Sequence, residues 1–211
     1  MADESYHKTR FTRDPRRRVL WEVLVNCEFQ KQIPPDGVVL DLGAGYGDFI
    51  NLINAGRRIA VDCWPEMIEH LNPGVESLVT DITRLDGVPD DAVDYVLASN
   101  CFEHVSREAL VGCLAQLRKK MKPGAQLAIL QPNFKYCFRE YFDDYTHISI
   151  YTDRSLCDLL AANGFRVTRC EPRFLPLTLK SRFPVHPLLI RLYLASPFKP
   201  FGKQMLVCAI R

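Results

Sequence analysis

The amino-acid sequence predicts an α/β protein with an open, mainly parallel sheet covered by helices. Short apolar segments of strand length alternate with segments of helical periodicity from residue 38 onward, which is typical of a parallel sheet with helical connections. Three successive strand-like segments carry an acid at or near their ends, at Asp41, Asp62 and Asp81. Ligands bind such sheets beyond the carboxyl ends of the strands. Functional residues are therefore expected in the loops after residues 42, 62, 80, 98 and 130.

Five helices are predicted, and each has a pattern or a boundary signal. Helical spacing of apolar residues defines the first and the fourth, while glycine or proline marks an end of the others. Thr152 is a suitable N-cap for the last helix, which stops at Gly164. The predicted ranges are 16–32, 47–55, 65–71, 106–121 and 152–163.

Seven strands complete the predicted fold. Turn signals precede two of them, Pro34-Pro35-Asp36-Gly37 before the first and Pro123-Gly124 before the fifth. The predicted ranges are 38–42, 58–62, 76–80, 94–98, 125–130, 165–170 and 204–210. We interpret residues 1–211 as a single domain with an N-terminal helical segment, 1–36, and an insertion, 172–203, between the last two strands.

Composition limits the class of protein. With 47% hydrophobic and 25% charged residues the chain is ordinary for a globular domain. Its longest apolar runs are shorter than the roughly 18–20 residues that span a bilayer, and the N-terminus lacks the pattern of a secretory signal. Eight scattered cysteines without a C-x-x-C pair are expected to be free thiols in a reducing compartment, so a cytoplasmic location is predicted.

Charge is distributed unevenly. After Glu171 there is no acidic residue, but there are seven basic ones: Arg173, Lys180, Arg182, Arg191, Lys199, Lys203 and Arg211. Such a surface attracts phosphates, anionic lipid head groups or nucleic acid. Because segment 187–195 is rich in leucine and isoleucine, the insertion is predicted either to cap the binding site or to lie on the inner membrane face.

The loop Gly43-Ala44-Gly45-Tyr46-Gly47 follows the first strand. Glycine permits backbone angles that other residues avoid and lets a ligand approach the backbone. A dinucleotide fingerprint would need a third glycine at residue 48, where this chain has Asp48, and a carboxylate there would repel a pyrophosphate. Asp41, before the glycines, instead favours a cationic ligand.

This loop resembles motif I of the class I S-adenosylmethionine (SAM)-dependent methyltransferases. The resemblance implies a Rossmann-like fold with a seven-stranded, mainly parallel sheet and an antiparallel last strand. It also implies SAM as cofactor, S-adenosylhomocysteine as product, and an acid at Asp41 near the cationic end of the cofactor. Asp62 is placed to accept both ribose hydroxyls, and the resemblance assigns the adenine amino group to Asp81. The cofactor-binding residues predicted are Asp41, Gly43, Ala44, Gly45, Tyr46, Gly47, Asp62, Cys63, Trp64, Asp81, Ile82 and Asn100.

The loop after the fourth strand reads Ser99-Asn100-Cys101-Phe102-Glu103-His104. It is similar to the F/L-E-H signature of some methyltransferases, which would place Asn100 near the methionine part of the cofactor. In quinone-pathway relatives an E-x-x-E-H run holds a divalent metal, but here Asn100 replaces the first acid, so no metal is predicted. His104 is interpreted as a structural or helix-capping residue, with a catalytic role or acceptor binding as the alternatives.

Residues 131–147 resemble bacterial methyltransferases associated with polysaccharide and glycan biosynthesis. Their pattern is P-N-x-x-Y followed by E-Y-[WF]-D-x-x-D-H, and here Thr146 separates the second acid from His147. Methyl transfer is an in-line displacement in which the protein aligns the acceptor and removes a proton from a hydroxyl. We therefore predict His147 as general base, oriented by Asp144, with Asn133 and Tyr141 positioning the acceptor. A structural role for His147 stays open.

Three classes of function remain at this point. The first is an active methyltransferase acting on a hydroxyl of a small-molecule or glycan acceptor, which can be lipid-linked or phosphorylated. The second is a catalytically inactive SAM-fold binding or regulatory subunit, and the third is a nicotinamide-dependent oxidoreductase. Nucleic acid is not an expected partner, because the N-P-P-Y type motif of base methylation is absent at 100–103 and the basic tail has no evident stacking platform.

Overall fold

A computed structural model describes residues 12–176 and 185–211 of the chain. Residues 1–11 of the predicted N-terminal segment lie outside the described residues. Lys180 and Arg182 of the basic insertion lie outside them as well.

Seven strands form one sheet in the order β3-β2-β1-β4-β5-β7-β6. β7 runs antiparallel to both of its neighbours, β5 and β6, and the pairings among β1 to β5 are parallel. The seven-stranded, mainly parallel sheet with an antiparallel last strand is therefore confirmed. The strands are β1 Val38–Leu42, β2 Arg57–Asp62, β3 Val75–Val79, β4 Val93–Ser99, β5 Met121–Pro132, β6 Arg166–Pro176 and β7 Gly202–Ile210.

Helices connect these strands. They are α1 Pro15–Leu24, α2 Arg107–Lys120, α3 Phe134–Cys137, α4 Asp153–Ala162 and α5 Pro187–Ala195. Short 3-10 helices add Gln30–Gln32, Pro65–His70, Phe102–His104 and Tyr141–Asp143. The predicted N-cap at Thr152 is present, since its hydroxyl accepts a hydrogen bond from Ser155 N, and this stabilises the start of α4.

The predicted helix over 47–55 is wrong. Residues 43–52 form successive turns, in which Gly47 N donates to Ala44 O at 2.8 Å and Asn51 N donates to Gly47 O at 3.1 Å. The φ of +70° at Gly47 interrupts a helical ladder at its start. The first predicted helix, 16–32, also differs, because α1 ends at Leu24 and is followed by a π-helix, Val25–Phe29.

Each face of the sheet carries its own buried cluster. On one face Leu40 and Leu42 of β1 pack with apolar residues of α2 and α4. On the other face Val39 packs with residues of α1 and of the turns 43–52. Side chains alternate between the faces of a strand, so Asp41 lies on the α1 side, directly before the glycine loop.

α5 extends into solvent from the apolar cluster on the α1 side of the sheet. Tyr193 and Leu194 pack against that cluster, whereas Leu188, Leu189 and Leu192 are exposed. Within residues 12–176 and 185–211 no helix is both long enough and apolar enough to cross a membrane.

Candidate functional site

The glycine loop is fixed to the end of β2 by its backbone. Gly43 N and Ala44 N both donate to Val61 O, at 2.8 and 3.1 Å. Gly43, Gly45 and Gly47 all have positive φ, at 70°, 50° and 70°, where a side chain would be strained. A Cβ at Gly43 would also stand 3.0 Å from Cys101 Sγ. The loop therefore needs glycine, and it presents bare backbone to the crevice.

Two buried carboxylates lie behind this loop. Asp62 accepts hydrogen bonds from Gly45 N at 2.8 Å and from Trp64 N at 2.9 Å, one at each oxygen. An ionised carboxylate has about four lone-pair sites, so Asp62 keeps acceptor capacity for ribose hydroxyls. Burial, with the nearby charges of Asp62 and Asp48, raises the pKa of Asp41 to about 8. A positively charged ligand would favour the ionised form of this carboxyl group.

The third predicted acid lies at the rim. Asp81 is exposed and accepts from Thr83 N at 2.8 Å and from Thr83 Oγ1 at 2.7 Å. Burial opposes its ionisation, but these hydrogen bonds outweigh burial and hold the pKa of Asp81 below its ordinary value. Ile82 beside it is buried.

Aromatic rings lie beside the glycine loop. Trp64 packs on Tyr46 and His70, with ring centroids 5.1 and 5.4 Å apart. Trp64 is only partly buried, and its neighbour Cys63 is exposed. The tryptophan thus packs inside a small aromatic group and still has surface in the loop between β2 and β3. The predicted contact of Trp64 with the cofactor is not tested by this arrangement.

Asn100 marks the end of β4. Its φ is +49°, a conformation that asparagine tolerates better than most residues. Its Oδ1 accepts from Gln204 Nε2 at 3.0 Å, and its backbone N donates to Leu130 O at 2.7 Å. These bonds fix the turn that carries residues 101–104 away from the sheet.

A second cluster of site residues, apart from those of the glycine loop, contains Glu103, His104 and His147. One metal-ligating atom from each residue lies within 4.8 Å of the others, and the two imidazole rings have centroids 4.9 Å apart. The backbone joins the two segments, since Ile148 N and Ser149 N both donate to Glu103 O, at 3.0 and 3.1 Å. The structure therefore brings predicted residues from two separate loops into one site.

Hydrogen bonds define the tautomers of both histidines. His147 Nδ1 lies 2.6 Å from Tyr141 O, and a carbonyl only accepts, so Nδ1 carries the proton. Thr146 Oγ1 donates to Asp144 Oδ1 at 2.6 Å and therefore accepts from His104 Nδ1 at 2.9 Å. In the neutral form each ring then has its lone pair at Nε2.

Burial sets the protonation of this second cluster. It raises the pKa of Glu103 to about 8. Burial, followed by the neighbouring His147, lowers the pKa of His104 to about 4. Burial also opposes ionisation of Asp144, but hydrogen bonds from Thr146 outweigh it and lower the pKa of Asp144. The His104 ring is therefore neutral near pH 7.

Asn133 and Tyr141 hold the surrounding loops together. Asn133 is fully buried, and its Nδ2 donates to Asp153 Oδ1 at 2.9 Å and to Pro172 O at 3.1 Å. The Tyr141 hydroxyl donates to Ser149 O. Both side chains thus have structural bonds, and their predicted contact with an acceptor is not tested by this arrangement.

Sequence reasoning left some buried polar groups without a role. Glu103 and Gln131 are buried, and both oxygens of Glu103 and both amide atoms of Gln131 have no hydrogen-bond partner among the described residues. Gln131 follows the apolar core of β5, so its position at a strand end was the available signal. Glu103 was visible in the F-E-H run, but its burial was not.

Comparison with known proteins gives matches among methyltransferases. A family described as "Methyltransferase domain" matches residues 13–169. A malonyl-[acyl-carrier protein] O-methyltransferase of Methylococcus capsulatus is 28% identical over 167 residues, which cover 72% of this chain and 58% of that relative. The match thus spans a little over half the length of this curated relative.

Solved structures share the fold. A SAM-dependent methyltransferase from Archaeoglobus fulgidus aligns over 98% of both chains, with a TM-score of 0.70 and 24% identity. Geranyl diphosphate C-methyltransferase from Streptomyces coelicolor, solved with Mg2+, geranyl diphosphate and S-adenosyl-L-homocysteine, aligns with a TM-score of 0.64 and 16% identity. That alignment covers 90% of this chain and 76% of the Streptomyces chain.

The buried Asp41 makes stability depend on pH in a defined direction. Its pKa is about 8 in the folded chain against an ordinary 3.8, so between these values the folded state binds more protons and stability falls as pH rises. We expect Asp41→Asn to remove this effect. The free energy of unfolding of the variant, relative to wild type, then increases between pH 5 and 8 by up to about 1.4 kcal/mol per pH unit.

Urea unfolding at several pH values measures this difference. Asp81→Asn is the matched control, because Asp81 has a lowered pKa and is ionised in both states over the same range. A constant difference between Asp41→Asn and wild type from pH 5 to 8 would contradict the protonated state of Asp41.

Proposed function

We propose that this chain, which belongs to the methyltransferase-domain family, is a SAM-dependent methyltransferase that transfers the methyl group to a hydroxyl of a small-molecule or glycan acceptor. The observation that carries the cofactor part is the arrangement of the two loops that follow the neighbouring strands β1 and β2. There, three glycines with positive φ lie beside the buried carboxylates of Asp41 and Asp62. A cationic nucleoside matches the bare backbone, and its charge would favour the ionised form of Asp41.

Asp62 is the residue through which the cofactor proposal is best tested. Its two oxygens already accept from Gly45 N and Trp64 N, so Asp62→Asn keeps the shape but brings an NH2 group against a backbone N–H. We expect SAM affinity to fall by about tenfold to a hundredfold, the scale of one or two hydrogen bonds to a charged group.

Calorimetry with SAM, S-adenosylhomocysteine and NAD on each variant measures this loss. Glu76→Gln is the control, because Glu76 is exposed and pairs with Arg57 on the other end of β2. Binding of NAD in place of SAM, or unchanged SAM affinity in Asp62→Asn, would contradict the proposed crevice.

Oxygen is the proposed methylated atom. The curated relative from Methylococcus capsulatus is named as an O-methyltransferase, and the likeness of residues 131–147 to glycan-associated enzymes favours a sugar hydroxyl. Unlike a thiolate, a hydroxyl must lose its proton as it attacks, so the site needs a base. The loop 141–149 supplies the imidazole of His147, whose Nδ1–H donates to the Tyr141 carbonyl, so that its neutral form has the lone pair at Nε2.

His147 is the proposed general base, with its ring orientation set by the Tyr141 carbonyl. The Asp144 carboxylate accepts from Thr146 N and Oγ1, so we propose that it holds the loop rather than takes a proton. This arrangement preserves the register of His147 although Thr146 separates it from the acid. Proton transfer by a positioned base contributes typically 10²–10⁴-fold to the rate.

We expect His147→Gln to lower the turnover rate by at least about 100-fold at saturating acceptor, with SAM affinity unchanged. The acceptor is taken from a panel of monosaccharides and lipid-linked glycans, and methylation is followed with tritiated SAM. His186→Gln is the control, because His186 is exposed at the N-cap of α5. Unchanged turnover in His147→Gln would remove His147 from the reaction.

The insertion 172–203 is proposed to contact an anionic lipid surface, where a lipid-linked or phosphorylated acceptor would be found. Leu188, Leu192, Phe198 and Phe201 are exposed by 58%, 59%, 82% and 68%, and Arg191 lies among them. Apolar side chains beside basic ones are the usual composition of an interfacial segment.

Vesicle sedimentation tests this contact. We expect the wild type to sediment with phosphatidylglycerol vesicles at low salt, and Leu188→Asp/Leu192→Asp to lose most of that binding. Ile68→Asp is the control, because Ile68 is similarly exposed at 53% but lies outside the insertion. Equal sedimentation of all three proteins would overturn the proposed membrane contact.

A further inference from the structure

Glu103 is in an environment that a carboxylate does not normally occupy alone. The residue is fully buried, and its two side-chain oxygens have no hydrogen-bond partner among residues 12–176 and 185–211. Burial keeps this carboxyl group neutral when it is alone, and its ionised form would be stable there only if it were paired or coordinated a metal. Here the neighbouring groups are two imidazoles, His104 and His147, with ligating atoms inside 4.8 Å.

Both histidines have the hydrogen bonds that metal-binding histidines need. His147 Nδ1–H donates to the Tyr141 carbonyl at 2.6 Å. His104 Nδ1–H donates to Thr146 Oγ1 at 2.9 Å, and that hydroxyl donates in turn to Asp144 at 2.6 Å. Metal-ligating histidines almost always donate their second ring N–H in this way, which fixes the ring and leaves the other nitrogen for the metal.

The spacing of the three groups leaves room for an ion. Around a tetrahedral ion with bonds of about 2.1 Å, neighbouring ligand atoms are about 3.4 Å apart, and the three groups here are within 4.8 Å of one another. The two segments that carry these residues are held together, because Ile148 N and Ser149 N both donate hydrogen bonds to Glu103 O. Side-chain rotations that move the ligand atoms by about an ångström would bring them to this spacing.

We infer that Glu103, His104 and His147 form a binding site for a divalent first-row transition metal ion. One carboxylate and two imidazoles suit such ions, whereas Mg2+ and Ca2+ prefer ligand sets made of oxygen. Three protein ligands leave at least one position open for a water or for an acceptor oxygen.

The site gives a second reading of the proposed role of His147. Nε2 of this residue cannot bind a metal and accept a proton at the same time. With the ion bound, an acceptor hydroxyl at its open position would have a lowered pKa and release its proton to solvent. Metal binding itself requires no methyl transfer, so its failure would leave the methyltransferase proposal intact.

From the E-x-x-E-H pattern no metal is predicted, because Asn100 replaces its first acid. That pattern takes its ligands from a single loop. In the structure the third ligand is His147, which reaches Glu103 and His104 from 43 residues further along the chain, and no local motif includes it.

Titration of the full-length protein with Co2+, followed by visible absorption and by calorimetry, tests the inference. We expect one equivalent to bind, with visible ligand-field bands and displacement by Zn2+ but not by Mg2+. Glu103→Gln and His147→Gln should each weaken Co2+ binding by at least about tenfold, and Thr146→Val, which removes the hydroxyl that accepts from His104 Nδ1, by about 10–100-fold.

His186→Gln controls for surface histidines, and SAM affinity of each variant shows that it is folded. Binding at cysteines would instead produce thiolate-to-cobalt absorption in the near ultraviolet. That absorption, an absence of Co2+ binding, or equal binding by wild type and Glu103→Gln would overturn the site.

Discussion

The buried carboxylate of Asp62 joins the two loops on which the cofactor crevice depends. One oxygen holds Gly45 N in the loop after β1, and the other holds Trp64 N in the loop after β2. Because both bonds use backbone N–H groups, they fix the path of the chain rather than one side chain. The glycine loop, the aromatic group around Trp64 and the buried Asp41 all take their positions from this arrangement.

The seven-stranded, mainly parallel sheet and the positions of the acids were accessible from the sequence. Parallel strands end on one edge of a sheet, so Asp41, Asp62 and Asp81 could be expected near one another. The helix after the glycine loop could not be excluded in the same way. Its apolar residues Phe49 and Ile50 pack in the core through turns, and residue spacing alone does not separate a series of turns from a short helix.

The second cluster was only partly predictable. The sequence indicated His104 and His147 individually, but it contains no signal for their approach. That approach depends on hydrogen bonds between Glu103 O and the backbone of residues 148 and 149. These bonds join distant parts of the sequence and exist only in the folded chain. The burial of Glu103 likewise depends on packing of the loop 141–149 over residues 102–104, and a local motif does not describe such packing.

The backbone bonds from Ile148 and Ser149 to Glu103 have a consequence for how the two substrates communicate. Any displacement of the loop 141–149 also displaces Glu103, three residues beyond Asn100 at the end of β4. In the proposed site, an acceptor that shifts this loop would also shift the segment that follows Asn100. By thermodynamic linkage such an effect is reciprocal, so in that proposal each substrate would change the affinity of the protein for the other.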